Sequence, residues 1–218
     1  MTKPGAGLPR GQRWTYRRLR LMLSLAYGVN SRGGPDTAAA AAALGVSPRT
    51  VQRWLRGKPR AFVSLPTGRL EQIRRDIRPD GQSLNQEQLT ATYARSAIER
   101  IALPGEVGVL PTWKQRRWIE PHLVAVLELP GGGLRQVTVS RKSDRTLAEL
   151  GKRGKVLSHT TVATRFHATA LVAVVLQQTD AWRVTAPAGL VKQGRTQTWA
   201  VAAPRVSLPE LAVTQGLA

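Results

Sequence analysis

Arg49, Thr50, Gln52, Arg53 and Arg56 crowd into eight residues, Arg49 to Arg56, with no acid among them, and Ser47 stands just ahead. A guanidinium can donate two parallel N–H bonds to guanine O6 and N7 or to a phosphate, and a glutamine amide can pair with the N7 and amino group of adenine. The chemistry open to Ser47, Arg49, Thr50, Gln52, Arg53 and Arg56 is therefore non-covalent: reading base edges in a major groove and holding phosphates.

Such side chains read bases only if a rigid element presents them. The surrounding run, TAAAAAALGVSPRTVQRWLRG from Thr37 to Gly57, has the pattern of two helices joined by a tight turn. Gly45 falls at the bend, where a positive φ is needed and glycine adopts it at least cost. Ala41 sits where the helices cross, and Leu44, Val46, Val51 and Leu55 take the inward positions. Ser47 is a suitable N-cap, Pro48 suits the first helical turn, and Gly57 is expected to stop the second helix. A helical hairpin in an ordinary core would explain the apolar positions alone. It would not explain an acid-free, arginine-rich outer face, so double-stranded DNA is the expected partner.

Thirty-three Lys and Arg against 13 Asp and Glu give a net charge of +20 in 218 residues. Phosphate neutralisation releases counterions, so a polyanion is the natural partner of such a chain. The excess is spread out: residues 1–80 carry 16 basic against 4 acidic residues, and residues 81–218 carry 17 against 9. No apolar run is long enough to span a bilayer, and MTKPGAGLPRGQR lacks the apolar core of a signal peptide. The expected setting is the cytoplasm, on the nucleoid. With no cysteine, disulfides and thiolate metal sites are excluded.

The expected fold class is α+β: an N-terminal all-helical helix-turn-helix domain followed by a β-rich α+β domain with a mainly antiparallel sheet. The divisions are 1–12, a flexible basic N-terminus; 13–104, the helical domain; 105–121, a connector; 122–204, the β-rich domain; and 205–218, a weakly ordered tail. Within the helical domain, Trp14 to Tyr27 places Leu19, Met22, Leu23 and Ala26 on one face, and Asp36 is a plausible N-cap for the motif's first helix. Arg17 and Arg20, with Lys58 and Arg60 of the KPRAFVSLP linker, are the candidate phosphate contacts. A helix over about Thr67 to Ile77 turns Leu70, Ile73 and Ile77 inward. A longer one, Asn85 to about Leu103, carries a ridge of Leu89, Tyr93, Ala97 and Ile101, which would close this domain, join the next, or pair with its copy in a homodimer.

In the second half HLVAVLEL, a glycine-rich turn and LRQVTVS predict a hairpin, and SDRTLAELGKRG a short helix capped by Ser143 or Asp144. ATALVAVVLQQ is expected as a central strand, followed by strands at AWRVTAP and TQTWAVAAP. In the connector, Trp113 and Trp118 flank Lys114, Arg116 and Arg117, a combination of rings for stacking and cations for phosphates, and so a candidate second patch that extends to single-stranded DNA ends. The plainer reading, favoured here, makes both tryptophans structural anchors, and Trp182 and Trp199 are read likewise as packing residues.

No catalytic constellation, metal site or cofactor motif is legible. His122, His159 and His167 lack ligand spacing with carboxylates and read as surface or strand-edge residues; PGGGL lacks the lysine of a phosphate loop. A transposase would need three acids around two metal ions, yet Asp144, Asp180 and Glu210 fall in a cap, a turn and a tail. Tyr16, Tyr27 and Tyr93 come too early for a tyrosine recombinase.

ALGVSPRTVQRWLRGKPR followed by RLEQIRRDIRPDGQ, together spanning roughly residues 37–82, resembles the N-terminal half of the telomere-protecting terminal proteins of linear actinobacterial chromosomes and plasmids. The linked helix with Arg69-Leu70-Glu71 and Arg74-Arg75-Asp76 gives the likeness its specificity. The resemblance implies a role in replication or end maintenance of a replicon, with a hydroxyl residue accepting the first nucleotide. The alternatives are a dimeric transcriptional repressor and a DNA-processing enzyme of transposase or recombinase type.

Overall fold

The computed structural model describes residues 14–131 and 133–218, with the side chain of Glu106 outside the description. The basic N-terminus expected over 1–12, and Gly132 of the predicted glycine turn, lie outside the described residues. The chain is mixed α+β with an antiparallel sheet, and it divides into two compact units, Met1–Arg78 and Pro79–Ala218.

In the first unit, α1 (Tyr16–Tyr27) begins where the Thr15 hydroxyl accepts a bond from Arg18 N at 3.2 Å, and it buries Leu19, Met22 and Leu23. Asp36 caps α2 (Thr37–Leu44) through bonds from Ala38 N and Ala39 N at 2.9 and 3.0 Å. After α3 (Pro48–Trp54), α4 (Thr67–Ile77) buries Leu70, Ile73 and Ile77, as its spacing predicts. The Tyr27 hydroxyl donates to Asp76 at 2.6 Å and ties α1 to α4; burial, then this bond, pushes the phenol well above its usual pKa. Residues 59–63, expected as part of a linker, form a strap along the start of α1. Tyr16 N and Arg17 N donate to the carbonyls of Ala61 and Pro59, each at 3.0 Å, and Val63 N donates to Trp14 O at 2.8 Å. Two of the orphan donors at a helix N-terminus are thereby satisfied.

The second unit begins with α5 (Gly81–Ile101), which places the long helix here and not in a helical domain ending at residue 104. Its packed face is Ala94 and Ala97, lying against α8 (Arg165–Gln178), while Leu89 of the predicted ridge is 57 % exposed. After α6 (Pro111–Gln115), the predicted hairpin forms from β1 (His122–Glu128) and β2 (Leu134–Arg141), registered from His122 opposite Arg141 to Glu128 opposite Arg135. α7 (Thr146–Arg153) starts later than its expected caps: Ser143 instead bonds the Thr146 hydroxyl, and no side chain caps the helix.

One assignment in this unit is corrected, and one strand carried no expectation. KVLSHTTV forms the edge strand β3 (Lys155–Val162), and ATALVAVVLQQ, expected as a central strand, lies in α8. α8 buries Phe166, Ala168, Ala170, Leu171, Val172, Val174, Val175 and Leu176, residues from all around its axis, because it packs against the sheet, α5 and α9 (Leu208–Thr214). A helix covered on every side loses the one-sided stripe by which helices are recognised, and its β-branched residues then read as strand. The segment expected as a loose tail is ordered as well: α9 docks with Leu208 and Ala212 in the core, and Leu217 beyond its end joins them.

The last strands, β4 (Arg183–Val184) and β5 (Thr198–Ala200), complete an antiparallel sheet of order β3-β1-β2-β5-β4. Val124, Val126 and Val137 line the face under α8, while Leu123, Ala125 and Leu127 meet Leu150 of α7 on the other. Arg183, almost fully buried, is neutralised by Glu87 of α5, whose Oε2 accepts from Nη2 at 2.9 Å. Removing one partner from such a pair leaves an uncompensated buried charge, which fixes α5 to the sheet edge.

Candidate nucleic-acid interface

α2, its turn and α3 have the geometry that the motif demands. Gly45 is left-handed at φ 62° and ψ 41°, and its N–H and that of Val46 close the end of α2 on the carbonyls of Ala42 and Ala41. Ala41, Leu44 and Val51 are buried between the helices. The Ser47 hydroxyl accepts from Thr50 N at 3.2 Å and lies 2.9 Å from the Thr50 hydroxyl, so both expected base or phosphate contacts are engaged in capping. One expectation is overturned at Gly57. α3 ends at Trp54 with Leu55 as its cap, and Gly57 is required because a Cβ there would collide with the Tyr16 ring.

On this scaffold Arg49, Gln52, Arg53 and Arg56 are exposed, and none makes a side-chain hydrogen bond or ion pair among the described residues. Arg49, Gln52 and Arg53 share one face of α3 through i, i+3 and i+4 spacing, whereas Arg56 lies past the helix end. Arg17, Lys58 and Arg60 are exposed too, and the bond from Arg17 N to Pro59 O gathers them at the start of α1. Arg20 behaves differently from its prediction as a phosphate contact. Its Nη2 donates to Leu55 O at 2.8 Å and caps the carbonyl end of α3.

Sequence reasoning missed the clasp on the other helix. Arg69 of α4 donates to Leu44 O at 2.6 Å and to the Gln72 amide oxygen at 3.1 Å, while Gln72 Nε2 donates to Ala43 O at 3.1 Å. Both helices of the motif thus have their C-terminal carbonyls held from outside, by Arg20 and by Arg69 with Gln72. A polar side chain reaching across 25 residues leaves no periodic trace, so only an arginine on the apolar side of α4 hinted at it. Arg18 is partly buried beside Trp14, and desolvation followed by the nearby charge of Arg74 pushes its pKa down to about 10.

The candidate second patch is taken apart by packing. Trp113 is 1 % exposed, donates from Nε1 to the Tyr93 hydroxyl at 3.1 Å, and lies with its ring centroid 4.6 Å from that of Phe166. Trp118 is half-buried, edge-on to Phe166 at 5.9 Å, with the guanidiniums of Arg116 and Arg165 over its ring at 5.1 and 5.4 Å. Both rings are engaged within the second unit, and Trp113 is closed to any base, whereas Lys114, Arg116 and Arg117 stay exposed. Arg117 occupies a left-handed conformation at φ 55° where α6 ends, the position glycine usually fills in this kind of helix stop.

His122, expected at a surface or strand edge, is buried on central strand β1 with Nδ1 2.8 Å from Glu120 O, and burial holds its pKa below the usual value. His167 is likewise lowered by burial and lies 2.8 Å from the Thr164 hydroxyl. Among the described residues no three His, Asp or Glu side chains converge on a metal-sized site, and no helix is long and apolar enough to cross a membrane.

Comparison with known proteins returns no match to the chain among protein-family models, curated proteins or solved structures. The class of the site accordingly rests on its geometry, a helix-turn-helix with a cationic, acid-free outer face.

Proposed function

We propose that this chain is a sequence-specific, double-stranded DNA-binding protein whose recognition element is α3. The observation that carries the reading is the exposed trio Arg49, Gln52 and Arg53, unpaired among the described residues, on a helix whose inner face is buried, whose N-cap is Ser47 and whose C-terminal end is held by Arg20 at Leu55 O. The helix itself is pre-organised, so binding orders only these side chains, which have no internal partner to give up. Arg17, Lys58 and Arg60 supply backbone phosphate contacts that fix register, and Arg56 extends the row.

The process is replication or end maintenance of a bacterial, plasmid or phage replicon. Support for this comes from the likeness of residues 37–82 to the telomere-protecting terminal proteins. That likeness includes α4, whose Arg69 clasps the motif and so belongs to it mechanically. Replacing Arg49 and Arg53 together by alanine is expected to lower preference for the target over random DNA by roughly 100-fold or more, since each bidentate base contact is worth about 1–3 kcal/mol. Unchanged discrimination in a salt-controlled binding assay would overturn the assignment of α3. Target sites selected from a genomic pool separate the processes: replicon ends or origins support the proposal, and promoter palindromes support a repressor.

A further inference from the structure

The second unit holds a cationic cleft that the helix-turn-helix does not account for. It is organised by Gln136 of β2, a fully buried amide. Its Nε2 donates to the carbonyls of Gln193 and Gly194 at 2.8 and 3.1 Å, and its Oε1 accepts from Arg153 Nη2 at 3.1 Å. One buried side chain therefore ties the loop before β5 and the last turn of α7 to the sheet. Arg153 Nη1 also reaches the Thr138 hydroxyl at 3.5 Å.

Every one of these partners is neutral. Among the described residues no carboxylate lies within ion-pair distance of Arg153, Arg165, Lys152 or Lys192. The Arg153 guanidinium is thus oriented without being neutralised, and it stands between two hollows. On one side a cleft of about 360 Å³ is lined by Arg153 and Arg165 with Ser140 and with Thr169, whose hydroxyl donates to Arg165 O at 2.9 Å; on the other, one of about 480 Å³ is lined by Arg153, Lys152 and Lys192. Neither has an acid in its lining. The hollows adjoin β2 where β5, which pairs only with Leu134 to Gln136, has given out.

A fixed guanidinium, flanking cations, the Ser140 hydroxyl and no competing carboxylate are the groups that bind phosphate. We propose that the cleft centred on Arg153 is a phosphate-binding site, separate from α3. Its occupant is either a phosphodiester of the DNA the protein holds, which rests on the DNA-binding reading, or the phosphates of a free nucleotide.

The test uses the full chain in two variants, Arg153→Gln with Lys192→Gln, and Lys152→Gln with Lys192→Gln. The second pair leaves the bonds of Gln136 intact and guards against misfolding. Association with duplex DNA is measured across a salt series. The slope of log K against log salt is expected to fall by about one for each cation removed from a phosphate, with the ranking of duplexes unchanged. In a parallel arm, tripolyphosphate and a nucleoside triphosphate are titrated against wild type and variants by NMR. A reduced slope with no tripolyphosphate binding identifies the DNA backbone as the source; binding of tripolyphosphate or nucleotide that the variants lose identifies a free nucleotide. If the chain failed to bind DNA at all, the α3 reading would fall while the titration arm still decided the cleft. Wild-type slopes together with no tripolyphosphate or nucleotide binding would overturn the proposal.

Discussion

α2 and α8 are both apolar helices, of 8 and 14 residues, yet they are specified in opposite ways. α2, TAAAAAAL, has little apolar bulk to bury; its ends define it, with Asp36 bonding the first amides and left-handed Gly45 closing the last turn. α8 carries Phe166, Leu171, Val172, Val174, Val175 and Leu176 in its core-facing surfaces, and burial defines it. Its cap is present as well, since the Thr164 hydroxyl accepts from Phe166 N and His167 N at 3.2 and 3.3 Å. The comparison teaches that α2 depends on bonds to its termini, whereas α8 depends on packing across a sheet.

That contrast is sharpest in mutations that remove one kind of support and leave the other. Leu171→Ala at the fully buried centre of α8 is expected to cost about 4 kcal/mol, lost transfer energy plus a cavity, read as a shifted denaturation midpoint of the second unit. A loss under about 1 kcal/mol would mean that α8 is not the centre of that core. Arg69→Ala in the first unit removes no core volume but frees Leu44 O. About 2 kcal/mol is expected, together with faster amide exchange at Gly45 and Val46, and protection equal to wild type would show that the clasp is dispensable.

The pH dependence tests the same contrast, because buried His122 and half-buried His167 both lie in the second unit. Folding lowers the pKa of His122 and His167, so from about pH 6.5 downward the unfolded chain takes up protons that the folded chain resists. Stability of the second unit should therefore fall as pH drops through that window, and fall less in His122→Gln. Equal pH profiles for the two proteins would exclude His122 as a source. The smallest effect is expected at Arg117. Arg117→Gly relieves a left-handed non-glycine residue and should stabilise by up to about 1 kcal/mol in thermal unfolding, with any destabilisation refuting strain there.

The motif was legible because its constraints are local. A left-handed bend demands glycine at 45, a helix start accepts Ser47 and Pro48, and a close crossing admits only Ala41; each constraint acts on one residue and leaves its mark on that residue's type. Gly57 shows the limit of that logic. Its glycine is needed for a contact with Tyr16, 41 residues away in sequence, and not for the end of its own helix. The aromatic pair at 113 and 118 shows it again, since whether a ring is a platform or a core residue depends on what covers it, here Phe166 and Tyr93.

By itself the sequence determined the charge excess, the helix-turn-helix with its outward Arg49, Gln52 and Arg53, the β1–β2 hairpin and the α4 stripe, all features written in composition or in spacings of a few residues. Only the tertiary structure decided that residues 165–178 are helix and 155–162 strand, that α5 belongs to the second unit, that Arg20 and Arg69 brace the motif, and that Arg153 is oriented over a cleft without a counter-charge. These depend on which surfaces meet across dozens of residues, and burial on all sides or a bond from a distant side chain leaves no period in the chain to read.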